Sequence, residues 1–160
     1  GMFDSEYKSP QDYLKTSGMG DQKINNVIFR KMMESDEIRE KFLTRLGEIH
    51  RIMTTDLMLA ELDECVALIE PEMVQHYGRW AQYDVKTINI DSPTSPEGYL
   101  RYWATRVDRL RNVICKRPHF LRKYVQQQFG LSNDEMIHYF GEQPLYLIWE
   151  NGQKKLYEKK

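Results

Sequence analysis

The sequence is poor in the residues that mark most specialised chains. Its only cysteines, Cys65 and Cys115, lie far apart and form no CxxC pair, which excludes a disulfide scaffold and a cysteine-built zinc site. Each sits in an apolar helical pattern and is expected reduced in a core, its thiol inert. No apolar run reaches the roughly 18–20 residues needed to cross a bilayer, and no basic segment followed by an apolar one marks a signal peptide. Charge of one sign is lacking too: 23 Lys and Arg stand against 24 Asp and Glu. That balance argues against nucleic acid or a membrane surface as partner. Neither GxGxxG nor GxxxxGK[ST] occurs, and the pair Gly18 and Gly20 follows no clear strand, so no glycine loop cradles a phosphate. His50, His76, His119 and His138 are scattered singly, without the spacing of metal ligands. No elbow motif surrounds a serine nucleophile.

What the chain has is amphipathic patterning. At 160 residues, with 41% apolar and 29% charged side chains, it is sized for one domain with a real core. Ser9-Pro10 opens a short helix that Gly18 and Gly20 break. Val27, Ile28, Phe29, Met32 and Met33 predict a second helix, interrupted by Ser35-Asp36. From there Ile38, Phe42, Leu46, Ile49 and Met53 recur at three- and four-residue steps, with Arg39, Glu40, Lys41 and Arg45 on the other side. Thr54-Thr55-Asp56 caps the next helix, with Met58, Leu62, Cys65, Val66 and Ile69 as its stripe. Pro71 predicts a kink or a restart, followed by Met73, Val74, Tyr77 and Trp80.

Residues 83–94 lack helical period. Ser95-Pro96-Glu97 opens a long helix with Tyr99, Trp103, Val107, Leu110 and Ile114 inward. Pro118 is read as ending it and starting another, with Phe120, Leu121, Tyr124, Val125 and Phe129 inward and Gly130 as the stop. Ser132 and Glu135 match a capping box for a short helix that closes at Gly141. LYLIW, Asn151-Gly152 and QKKLY read as a β-hairpin, since Asn-Gly suits a type I′ turn. The expectation is a mainly α, single helical domain of about six to seven helices with a short C-terminal β-hairpin. It divides into an N-terminal extension with a short helix (1–25), the helical domain (26–141), and the hairpin and tail (142–160).

Three groups of side chains are candidates for binding. His76, Arg79 and Trp80 share one helix side, where imidazole, guanidinium and indole suit an anion or a partner; the structural alternative is an anchor and an ion pair. The basic run Lys116, Arg117, Arg122 and Lys123, with His119, suits a phosphate or an acidic partner, unless it is merely a solvent-facing run. Glu61, Asp63, Glu64, Glu70 and Glu72 could pair as carboxylates, though a solvated helix face accounts for them.

One resemblance covers about residues 26–131. FRKMMESDEIREKFLTRL, then ALIEPEM, then His76 and Arg79-Trp80 resemble, in order and spacing, the C-terminal helical part of the spore coat protein CotH family. RLRNVICKRPHFLRKYVQQQFGL is similar to that family's closing Arg-Pro helix and terminal FGL. The resemblance implies an atypical protein kinase, bacterial, transferring phosphate from ATP to proteins such as spore coat proteins, with magnesium and ATP as cofactors of the complete enzyme. Phe3-Asp4-Ser5-Glu6-Tyr7 resembles the family's FDxD-like motif, with Glu6 in place of the second aspartate; it implies Asp4 as the magnesium ligand.

Phosphoryl transfer also needs a cation on the phosphates and a base, which the resemblance places mostly upstream of this stretch. Gly1-Met2 reads as a tag scar before a native or an engineered start. The expectation is therefore no catalytic residue and no cofactor in this chain alone. It would support an active site or dock substrate, with an upstream catalytic half or a coat protein as partner, in the cytoplasm or the spore coat. The alternative is a non-enzymatic protein-interaction module in spore coat assembly.

Overall fold

The computed structural model describes residues 27–84 and 96–157. Among them are five α-helices and one two-stranded sheet: α1 (Val27–Met32), α2 (Asp36–Ile52), α3 (Thr55–Asp84), α4 (Pro96–Phe129), α5 (Asn133–Phe140), β1 (Leu147–Glu150) and β2 (Gln153–Leu156). The chain is mainly α with a terminal hairpin, as its patterning implies. Six to seven helices is more than the described residues contain; two prolines, and one helix expected outside those residues, account for the difference. Pro71 lies inside α3 and Pro118 inside α4, so the expected restarts do not occur. A proline forfeits the hydrogen bond to the carbonyl four residues back. In α3 both Pro71 and Ala67 are exposed, so the freed carbonyl faces the solvent side and the helix continues. The short helix expected after Ser9 lies outside the described residues.

α4 is the spine. At 34 residues it is about 50 Å long, and its two halves serve different neighbours. The second half packs Val125 against Leu43 of α2 and against Met136 and Phe140 of α5, all nearly inaccessible, with Phe42, Leu46, Leu121, Phe129, Leu131 and Tyr139 around them. Each such buried side chain contributes about 1.5–3 kcal/mol by leaving water. α1 joins through Phe29, edge-on to Phe42 at 5.3 Å.

The helix ends follow local chemistry. Thr54 Oγ1 accepts from Leu57 N–H at 3.2 Å. Ser132 and Glu135 form the reciprocal capping box, each side chain meeting the other's backbone N–H; these bonds hold the Glu135 carboxyl below its ordinary pKa. Gly130 ends α4 with φ +64°. Asn151 and Gly152 turn the hairpin with φ of 52° and 75°, the positive pair a type I′ turn requires, and they set Leu147 opposite Leu156 and Trp149 opposite Lys154.

Gly47 of α2 is buried without having been part of the apolar stripe. A Cβ there would stand 2.0 Å from the Tyr139 carbonyl oxygen, so α2 and α5 approach closer than any side chain permits. Arg51, one turn on, donates to that same carbonyl.

Candidate functional site

α3 lies antiparallel on the first half of α4, and a polar network fixes the pair. Arg111 of α4 donates to Asp63 of α3 from Nη2 at 2.7 Å and to Asp108 from Nη1 at 2.8 Å. Burial works against the Arg111 charge, but the hydrogen bonds to the two carboxylates outweigh it and raise its pKa. The hairpin closes over this network: Trp149 Nε1 donates to Asp108 at 3.1 Å, and its backbone N–H donates to Asn112 at 3.1 Å. The Arg111 guanidinium lies 5.2 Å from the Trp149 ring centroid. Lys154 of β2 pairs with Asp56 at the start of α3. At the other end Tyr77 stacks on Tyr99, 5.1 Å apart.

Among the described residues α4 is the main helix packed on α3, and the inward line of α3 is narrow: Thr55, Met58, Leu59, Leu62, Val66, Met73 and Tyr77. Cys65, Ile69 and Val74 fall off that line and are exposed. Cys65 is therefore not a core thiol, a correction to the sequence reading. Cys115 is buried at 1% exposure, and burial pushes its thiol pKa up.

The opposite side of α3 is the candidate site. Glu61, Cys65, Leu68, Glu72, His76 and Arg79 recur at three- and four-residue steps, so they share one face, and all six are exposed. Leu68, at 80% exposure, stands out as a large apolar side chain left in water within a charged face. His76 meets Tyr77 edge-on at 5.4 Å, which ties the exposed imidazole to the ring stacked on α4. The Trp80 side chain lies outside the described residues. The acidic residues do not act as a set: Asp63 turns inward to Arg111, whereas Glu61, Glu64, Glu70 and Glu72 stay exposed.

The basic run on α4 is divided by the helix. Lys116 and Arg117 are half-buried and already engaged with other residues. Arg117 lines an apolar groove of about 200 Å³ with Leu46, Ile49, Met53, Met58 and Pro118. Arg122 is buried at 6% exposure, which corrects the picture of a solvent-facing run. The helical period would have shown this, because Arg122 falls beside the inward Phe129 and one turn from Val125 and Pro118 on the helix. Asp4 lies outside the described residues. Among the described residues no three His, Cys, Asp or Glu side chains come together as metal ligands, and no helix is long and apolar enough to cross a membrane.

Among known families, the model described as CotH kinase protein matches residues 4–121. That stretch includes Asp4, the whole of α3 and the first three-quarters of α4. No curated protein and no solved structure gives a significant match.

Proposed function

The chain belongs to the CotH kinase protein family, and from that membership we propose that it is a helical support for the phosphotransfer site of a CotH-type kinase. It buttresses the nucleotide-binding lobe, or holds that lobe's protein substrate, and does not transfer phosphate by itself. The observation that carries this reading is the outer face of α3, where Leu68 sits exposed among Glu61, Glu72, His76 and Arg79. An exposed leucine on a helix face whose other members are mostly polar is suited to act as an apolar anchor within a polar surface. The Arg111 network and the Tyr77–Tyr99 stack hold that face still, so little order has to be gained on docking. Trp80, next to Arg79 in the sequence, is retained as a candidate for partner binding.

Magnesium and ATP belong, in this reading, to the assembled kinase. Asp4 would then contribute a metal ligand, a carboxylate being a suitable donor for a hard cation, while the cationic clamp and the base come from the partner lobe. The substrate is a protein of the spore coat, and the site of action is the spore coat or the cytoplasm in which it is built.

A thermal-shift titration with Mg-ATP tests the division of labour, with Asp4→Asn alongside. A ligand bound only by the folded state adds about 2.7 kcal/mol at a hundred times its dissociation constant, a readable rise in Tm. The expected result is no rise for the chain alone at millimolar nucleotide. A rise abolished by Asp4→Asn would mean that a nucleotide site is complete here, and the supporting role would fall.

A further inference from the structure

At the end of the family match, a cleft of about 420 Å³ lies between the last turns of α4, helix α5 and the segment that follows it; His119, Arg122, Lys123, Met136, Ile137 and Glu142 are among its lining residues. Arg122 belongs to the buried set at 6% exposure, and its Nη1 has no hydrogen-bond partner among the described residues. What reaches the guanidinium is the Phe140 ring, with Cζ 5.8 Å from the centroid, and the charge of Glu142. A guanidinium keeps its proton at any ordinary pH, so a buried and incompletely paired positive charge lines the cleft. Such a charge is costly unless something negative answers it.

The rest of the lining is consistent with that. Lys123 is exposed beside Arg122. His119 is stacked flat on Tyr146 at 4.5 Å, and its Nδ1 is buried without a partner among the described residues. Met136 and Ile137 supply an apolar wall. The volume lies within the range of small-molecule sites, about 300–1,000 Å³, and is roomier than a bare inorganic ion requires.

We propose that this cleft binds a small organic anion, a carboxylate or a phosphate ester, with its oxygens on Arg122 and Lys123 and its apolar part against Met136 and Ile137. The planar fork of Arg122 suits either oxyanion in a bidentate grip. Glu142, exposed on the same cleft, opposes a second negative charge and so limits how highly charged the occupant is. The site is independent of the kinase reading, since it depends on neither the α3 face nor Asp4.

Calorimetric titration of the intact chain with phenyl phosphate, benzoate and inorganic phosphate tests this. Either organic probe is expected to bind, with the tighter of the two naming the anion. Lys123→Gln is expected to weaken that binding about tenfold by losing a charge-assisted contact, and Glu142→Gln to strengthen it by removing a like charge. Arg122→Gln is expected to abolish it; because a buried residue is altered there, the two exposed variants carry the test if that chain fails to fold. No heat from any probe at about 10 mM, or binding that ignores both exposed variants, overturns the proposal. Inorganic phosphate binding as tightly as phenyl phosphate would overturn the organic part of it.

Discussion

Arg111 on α4 grips Asp63 on α3 through two nitrogens, with Nη2 at 2.7 Å and Nε at 3.1 Å from the same carboxylate oxygen. It is a direct polar tie between the two longest helices, and with Asp108 and Trp149 it links them to the hairpin. The Arg111 side chain is 18% exposed whereas Asp63 is 55% exposed, so the pair is screened on one side only. Arg111→Met is expected to cost about 1–2 kcal/mol, at the low end for bonds to charged groups because water reaches the carboxylate. A double-mutant cycle with Asp63→Asn, read by urea denaturation, should give a coupling of about 0.5–1 kcal/mol. Additive effects would show that the Arg111–Asp63 pair adds nothing to the hold between the two helices.

Gly47→Ala should be among the most damaging single changes in the chain. The new methyl would meet the Tyr139 carbonyl at 2.0 Å, a backbone atom that cannot swing aside, so α2 and α5 must separate. The expected loss is about 3 kcal/mol, the upper part of the range for overpacking, with a matching fall in Tm. An alanine variant as stable as the parent would mean that the two helices are not in contact.

Stability should also fall as the solution is acidified from neutrality. Burial holds the pKa of both His50 and His119 below the ordinary imidazole value, with Arg122 and Arg51 adding to the effect on His50 and Lys123 to that on His119. The unfolded chain therefore takes up protons where the folded chain does not. Their contribution is intact above the unfolded value and is lost as pH falls through the folded ones. Urea midpoints measured at about pH 7.5 and 5.5 should differ, and His50→Gln should flatten the difference. An unchanged slope in that variant would mean that His50 carries no part of it.

Much of this architecture was legible in the residues because it is local. The capping box of Ser132 and Glu135 and the Asn151–Gly152 turn need only neighbours a few positions away, and both form as the pattern implies. Periodicity likewise placed Val107, Tyr124 and Val125 inward. The misses are tertiary. Pro71 and Pro118 signal a break, yet packing along α4 and solvent at the freed Ala67 carbonyl let both helices continue. Cys65 fits a broad apolar stripe, but among the described residues α3 packs mainly on α4 and buries only a narrow one. Gly47 carries no side chain to pattern, so its contact with Tyr139 has no sequence signal. Of the candidate site, His76 and Arg79 stand exposed on one helix as their spacing implies; that Leu68 joins them follows only from which side α4 covers.

Cys65 offers a native reporter for the outer face of α3, because it is exposed beside Leu68 while Cys115 is buried. The most direct measurement is the rate of maleimide labelling at Cys65, with the chain free and then co-expressed with the nucleotide-binding lobe of a CotH-type kinase. Cys115 serves as the unreactive control, and Leu68→Asp removes the anchor. If α3 is the docking face, labelling should slow by about tenfold or more in the complex, and the Leu68→Asp chain should label at the free rate in both samples. Co-purification of the two with Cys65 labelled as fast as in the free chain, or no association at all, would contradict the role assigned to this helix.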